Sequence, residues 1–338
     1  MPAISVLMPC FNVATTLEET LESIAAQTLE DFEVVAVDDG STDETAGILA
    51  EWSRQDPRFR LIELPHGGII PAMSAGLAEC RSDLVARMDA DDRMHPSRLE
   101  KQASFLGAHP EVDLVSSLVA GFPAGELQKG FNLYIDWLNS LTDHESISCE
   151  IFVESPLCHP SVTFRHASVQ AVGGYQENGW AEDYDLWLRG YLAGWRFEKL
   201  PEVLLEWREH PDRLTRTDSR YSLENFIRAK AHYLALGPLA DRDTVIIWGS
   251  GMHGRRLSKH LLRASVPLKA FVDIDPKKIG RTRRGLPIVA PEDLMGIWQQ
   301  AENPAVLASV GARGARELIR AQLNEMGLAE GQDWWAAA

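Results

Sequence analysis

Three stretches of this sequence gather carboxylates in patterns suited to chemistry. They are Val37-Asp38-Asp39-Gly40-Ser41-Thr42-Asp43, Arg87-Met88-Asp89-Ala90-Asp91-Asp92 and Glu182-Asp183-Tyr184-Asp185. Side chains alternate along extended chain, so Arg87, Asp89 and Asp91 fall on one face if that conformation persists. Two carboxylates converging there repel each other unless a cation or a basic group stands between them. Hard divalent ions choose oxygen ligands, and Mg²⁺ commonly combines one or two carboxylates with substrate phosphates. Such an ion neutralises a diphosphate leaving group as a Lewis acid. Taken alone, a D-x-D is more often a solvated acidic turn. Glu182-Asp183 has two readings as well: a favourable pair of acids at a helix N-terminus, or a carboxylate placed to take a proton.

A fourth motif is of another kind. Gly249-Ser250-Gly251-Met252-His253-Gly254 is a G-x-G-x-x-G string between an apolar run and a helical pattern. In that context Gly249, Gly251 and Gly254 admit a phosphate to the helix N-terminus. Asp273 ends the next apolar run, near the distance of a ribose-binding acid. The same glycines also serve close strand–helix packing without any ligand.

These motifs must be positioned by the elements around them. Residues 4–8, 32–37, 60–64, 84–88 and 114–119 read as strands, with helical spacing at 16–27, 44–54, 70–80 and 96–107 between them. That alternation predicts βαβ units and a mainly parallel sheet. Ligands of open α/β sheets gather at the carboxyl ends of strands, where the first two acidic motifs stand. Residues 122–158 look less regular. A strand at 161–165, a helix from about 182 and two extended runs ending at His210 follow. A polar helix at about 219–236 leads to Leu236-Gly-Pro-Leu, and a second α/β pattern begins with strands at 244–248, 268–272 and 305–310.

Composition narrows the class. With 45% hydrophobic and 24% charged residues the chain is globular. A net charge of −16 argues against nucleic acid as a partner. Cys10, Cys80, Cys149 and Cys158 form no C-x-x-C pair and read as reduced thiols. No signal-like segment or run of about 20 apolar residues is present. A cytoplasmic protein is expected, with a place at the inner face of the membrane left open.

The blocks from Ile4 to Pro110 resemble family 2 glycosyltransferases with a GT-A fold. The resemblance rests on Ser5-Val6-Leu7-Met8-Pro9-Cys10-Phe11-Asn12 and the first two acidic motifs, in the family's order and spacing. It continues through His159-Pro160-Ser161-Val162, Gly173-Gly174-Tyr175 and Glu182-Asp183-Tyr184-Asp185-Leu186-Trp187. It covers about residues 3–215 and implies a GT-A nucleotide-sugar-binding domain over 1–215; the pattern beyond it reads as a helical linker (216–240) and a small Rossmann-like α/β domain (241–338). It further implies that Pro9, Phe11 and Asn12 border the donor nucleotide, with Phe11 standing where a tyrosine is common. Asp39 matches the acid that reads the base, usually uracil. Asp89 matches a residue near the ribose, with a share in the metal site, and Arg87 aims at the same place. Asp91 matches the principal metal ligand, His210 a histidine that completes the metal site in some members, and Asp183 the general base. The implied enzyme is inverting and uses Mn²⁺ or Mg²⁺. It moves a sugar from a nucleoside diphosphate donor, usually UDP, to a saccharide or glycolipid, in surface polysaccharide synthesis.

Residues 244–295 are similar to the small domain at the front of bacterial sugar acetyltransferases, through the glycine string, Val272-Asp273-Ile274-Asp275-Pro276 and Gly285-Leu286-Pro287-Ile288. The hexapeptide repeats of those enzymes are missing, so acetyl transfer is not implied. Two other classes stay open: an NAD-dependent oxidoreductase using the glycine loop, and a catalytically silent sugar-nucleotide-binding protein. Peripheral membrane association and homo-oligomerisation stay open too.

Overall fold

The computed structural model describes residues 1–338 apart from 124 and 126. The chain forms two compact units. The first comprises Met1–Ile147, Pro156–Asn178 and Glu182–Arg213; the second comprises Ser148–Ser155, Gly179–Ala181 and Leu214–Ala338.

The first unit is built on β1 (Ile4–Cys10), β2 (Phe32–Asp38), β3 (Phe59–Glu63), β4 (Leu84–Arg87), β5 (Arg93–Met94), β6 (Leu114–Phe122), β7 (Thr163–Arg165) and β8 (Phe197–Arg208). Among the described residues these make one sheet in the order β3-β2-β1-β4-β7-β6-β8-β5. The β3-β2-β1-β4 part is parallel, β7 runs antiparallel to both β4 and β6, and β6 and β8 are parallel. Ile4, Val6, Leu7 and Met8 are wholly buried, as are Val34, Val35 and Val37. Such continuous apolar runs suit strands covered on both faces. The crossover helices Ala14–Ala25, Thr45–Gln55 and Ile69–Glu79 connect them. The carboxyl ends of β2, β1 and β4 therefore lie side by side, and with them the first two acidic motifs.

Two expectations need revision here. Within 122–158, read as less regular, the chain forms a helix, Lys129–Ser140, that buries Ile135 and Leu138. Its aromatic side chains have modest helix propensity, and burial of an apolar face is what holds it. The two extended runs before His210 are one strand, β8, whose pairing with β6 shifts register near Leu118.

The second unit carries β9 (Thr244–Trp248), β10 (Leu268–Val272), β11 (Thr282–Arg283), β12 (Leu286–Val289), β13 (Pro304–Ala308) and β14 (Trp334–Ala336). Their order is β11-β12-β10-β9-β13-β14, parallel from β12 to β14, with β11 antiparallel at the edge. This unit starts earlier than the sequence boundary at 241. Helix Leu223–Leu236 packs on helix Met252–Arg263, where Glu224 Oε1 meets Lys259 Nζ at 2.7 Å and His260 Nε2 at 2.9 Å. It also draws in pieces of the preceding 215 residues. Glu150 pairs with Arg316 at 2.5 Å and Arg320 at 2.8 Å, and Trp180 packs against His232 and Tyr233.

The glycine string explains how β9 meets its helix. Gly249 has φ +117°, and a Cβ there would sit 2.6 Å from the Ser309 carbonyl oxygen. A Cβ on Gly254 would fall 1.9 Å from the Gly249 carbonyl oxygen, whereas Gly251 faces open space. Gly254→Ala is expected to cost roughly 1–3 kcal/mol through overpacking, and Gly251→Ala to stay within about 0.5 kcal/mol. Urea unfolding of the full chain followed by tryptophan fluorescence measures both; equal losses would discount the packing explanation.

Candidate active site

The loop after β1 is locked to the loop after β2. Asn12 adopts a left-handed φ of 51°, a conformation asparagine tolerates better than most residues. Its N–H donates to Ser41 Oγ at 3.0 Å, and its Oδ1 accepts the Thr42 N–H at 2.8 Å. Asp43 accepts N–H groups from Ala14 at 3.1 Å and Thr45 at 3.0 Å, joining the starts of two helices. Pro9 pairs with Val37 within the sheet. Phe11 is exposed and stacks on His66, with ring centroids 4.1 Å apart and planes 17° apart.

Asp39 lies below that stack in the bonding order. It is 3% exposed, and its two carboxylate oxygens accept the Gly67 and Gly68 N–H groups at 2.9 Å each. His66 Nδ1 is 2.9 Å from Asp39 Oδ2. Asp39 thus fixes the 66–68 turn, and through His66 it steadies Phe11. Reasoning from sequence missed His66, Gly67 and Gly68; the His-Gly-Gly triplet just after a strand was their only signal.

The second acidic motif closes around a buried cation. β4 ends at Arg87, so strand alternation does not carry through to Asp91. Even so, the Arg87 side chain, 2% exposed, forms an ion pair with the Asp89 carboxylate. Oxygens of Asp89, Asp91 and Asp92 all lie within 4.8 Å of one another. Asp92 is the member that sequence reasoning did not assign. Its Oδ1 accepts the Arg208 N–H at 2.7 Å, while its buried Oδ2 has no hydrogen-bond partner among the described residues. Asp91 Oδ2 is 2.9 Å from His210 Nε2, and the Asp91 carbonyl accepts from Arg208 Nε at 2.5 Å. Burial raises the Asp89 pKa, opposed by Arg87 and reinforced by Asp91. Burial and the neighbouring Asp91 and Asp89 push Asp92 well above the usual carboxylate range. Three such groups call for positive charge.

Asp183 stands in the first turn of helix Glu182–Leu192 and accepts the Tyr184 N–H at 2.6 Å. Burial, then the Glu182 charge, raise its pKa to about 8, against a lowering pull from Arg87. Asp89, Tyr175 and Glu182 in turn hold the Arg87 guanidinium in its charged form against the cost of burial. The Cys10 thiol is pushed up by burial and by Asp38, Asp89 and Asp91, which ties the end of β2 to the same locus.

The second-unit motif is committed differently. Asp273, 7% exposed, accepts from Ser250 N–H at 3.1 Å, Ser250 Oγ at 2.5 Å and Asp275 N–H at 3.0 Å, and pairs with Lys278 at 3.1 Å. The acid expected to face a ribose is engaged in holding its own turn.

Residues 5–169 match the sequence profile of the family described as Glycosyl transferase family 2. The amylovoran biosynthesis glycosyltransferase AmsE of Erwinia amylovora is 34% identical over 249 residues, covering 73% of this chain and 89% of that protein. A UDP-Gal:alpha-D-GlcNAc-diphosphoundecaprenol beta-1,3-galactosyltransferase of Escherichia coli is 28% identical over 249 residues, covering 72% and 88%. Among solved structures, S. aureus TarS 1-349 in complex with UDP-GlcNAc aligns with a TM-score of 0.58 at 21% identity, over 78% of this chain and 72% of that one. The last likeness is one of fold.

The bonding of Asp39 generates a stability prediction. Asp39→Ala removes the charged acceptor of two part-buried hydrogen bonds from backbone N–H groups and is expected to cost about 1.5–3 kcal/mol. Asp39→Asn keeps one acceptor oxygen and is expected to cost less. Chemical denaturation ranks the two; an Asp39→Ala variant as stable as the parent would mean that the turn does not depend on this carboxylate.

Proposed function

The chain belongs to glycosyl transferase family 2, and on that premise we propose that it is an inverting, metal-dependent transferase. It moves a sugar from a nucleoside diphosphate donor, a UDP-sugar by preference, onto a hydroxyl of a saccharide or glycolipid acceptor in surface polysaccharide synthesis. The observation that carries this reading is the carboxylate cluster Asp89, Asp91 and Asp92, whose oxygens converge within 4.8 Å and whose Asp89 is paired with the buried Arg87 guanidinium. The UDP-Gal donor and the GlcNAc-diphosphoundecaprenol acceptor in the name of the Escherichia coli relative support the UDP-sugar and the lipid-linked acceptor.

The cluster fits a divalent cation. Its oxygens converge within 4.8 Å, and Asp92 Oδ2 lacks a hydrogen-bond partner among the described residues. Hard ions with oxygen ligands, Mn²⁺ or Mg²⁺, suit such a donor set. Asp91 would be the principal ligand, with Asp89 beside it and His210 close enough through Asp91 Oδ2 to join or orient it. When bound, the ion supplies Lewis-acid neutralisation of the departing diphosphate.

The chain's own residues have these tasks. Asp183 accepts the proton of the acceptor hydroxyl as that oxygen attacks the anomeric carbon. A single displacement with the base on one side and the leaving group on the other inverts that carbon. Phe11 and His66 offer an aromatic platform at the nucleotide end, with Pro9, Asn12 and Asp39 shaping the loops beneath it. The internal bonding of Asp273 speaks against an NAD-dependent oxidoreductase, because its oxygens are engaged before any ribose arrives.

A base whose pKa is raised to about 8 works only once deprotonated. Accordingly kcat/KM is expected to rise about tenfold per pH unit up to about 8 and then level off. Glu182→Gln removes the charge that raises Asp183 and should move this limb to lower pH. Asp183→Asn should cut kcat by about 10²–10⁴-fold with donor affinity within about twofold. pH–rate profiles and calorimetric donor titrations test this, and undiminished turnover in Asp183→Asn would remove the base from the mechanism.

Metal dependence has its own test. Mn²⁺ titration followed by electron paramagnetic resonance, with UDP present, should give stoichiometric binding that Asp91→Ala weakens at least about tenfold. Full turnover after exhaustive chelation would refute it.

A further inference from the structure

Three sequence motifs that the proposed chemistry leaves partly unexplained meet at one histidine. His159, from His159-Pro160-Ser161, is 6% exposed and sits in a short turn before β7. Its Nε2 is 2.9 Å from the hydroxyl of Tyr175, from Gly173-Gly174-Tyr175. Its Nδ1 faces Glu182 Oε1 at 3.8 Å, next to Asp183. The ring meets Trp187 edge to face at 5.7 Å and 84°. Trp187 belongs to the helix that carries Asp183, so the ring's orientation is set by packing as well as by Tyr175.

We propose that His159 is a positioning residue for the base: its Nδ1–H holds Glu182, and thereby the Glu182–Asp183 turn, while the Tyr175 hydroxyl donates to Nε2 and so supports the tautomer that the Glu182 carboxylate selects. The inference rests on Asp183 being the base. Burial and the nearby Arg87 charge keep the imidazole neutral, so it carries one N–H. A proton on Nε2 would turn the Nδ1 lone pair toward a carboxylate, which is repulsive. A proton on Nδ1 turns the N–H dipole toward Glu182 and leaves Nε2 to accept from Tyr175. At 3.8 Å the Glu182 contact is an ion–dipole attraction, longer than a direct hydrogen bond. Its value lies in direction. Glu182 is buried beside Asp183, and a shift of either carboxylate misplaces the atom that must reach the acceptor proton.

Asparagine and glutamine separate the two ring nitrogens. The amide nitrogen of His159→Asn overlays Nδ1, and that of His159→Gln overlays Nε2. In the full chain with Mn²⁺, His159→Gln is expected to lower kcat about 30-fold with donor KM within about twofold. His159→Asn should restore activity to within about fivefold of the parent, and Tyr175→Phe, which removes one oxygen only, should lower kcat about fivefold. Equal kcat losses in the Asn and Gln variants, or a Tyr175→Phe variant with parental kcat, would overturn the proposal. If the histidine variants do not fold, as judged by melting temperature, the Tyr175→Phe kcat decides it. Asp183→Asn keeps the two failures apart. Activity retained there sinks the base assignment, whereas activity lost there with His159→Gln at the parental rate sinks this inference alone.

Discussion

Repulsion among crowded, partly buried carboxylates is the constraint on which this structure turns. Asp89, Asp91 and Asp92 share a space under 5 Å across, and Glu182 and Asp183 form a second pair. Burial penalises the charges of Asp89, Asp92 and Asp183. Arg87 is the fixed positive charge that lets both groups persist. Its planar guanidinium stays ionised under any physiological condition, whereas a lysine so deeply buried would surrender its proton. The ion pair with Asp89 engages one nitrogen, and Nε makes no hydrogen bond among the described residues. Arg87 therefore acts more by charge than by hydrogen-bonding geometry.

A second arginine holds that one in place. Arg98, wholly buried, donates to the carbonyl oxygens of Arg87 at 2.9 Å and Val162 at 3.2 Å, and to Gln102 Oε1 at 3.0 Å. Gln102 in turn donates to the Ser161 carbonyl and accepts from Thr163 Oγ1. This network ties the end of β4 to the turn that carries His159. Burial lowers the Arg98 pKa to about 9, so the group keeps its proton at neutral pH. The acidic end of β4 and the turn beside the base are thus parts of one rigid assembly.

Legibility from sequence followed the physics of each element. The parallel core could be read because its strands are continuous apolar runs, and the Asp89/Asp91 pair because it stands where a strand ends. Asp92 was harder. Its membership of the cluster depends on the Arg208 N–H from β8, more than a hundred residues away, and no local pattern reports that. His66 was hidden for the same reason, since its task is set by Asp39 on another loop. Helix Lys129–Ser140 was missed because its stability comes from burial. The second unit's claim on 148–155 and 179–181 depends on Glu150 and Trp180, whose partners lie far along the chain.

Asp39 and Asp273 show that an acid at a strand end also has a structural task. Each follows a buried strand, and each is an acid expected to touch a nucleotide. Each also accepts hydrogen bonds from nearby backbone N–H groups: Gly67 and Gly68 in one case, Ser250 and Asp275 in the other. A carboxylate is a strong acceptor, and a tight turn leaves N–H groups that need one. The two positions diverge in what the turn then presents. Asp39 supports a histidine stacked on an exposed Phe11, a flat aromatic surface beside the acidic cluster. Asp273 is closed off by Ser250 and Lys278. An acid at a strand end is first a means of shaping a loop, and whether the loop meets a ligand depends on the side chains it carries outward.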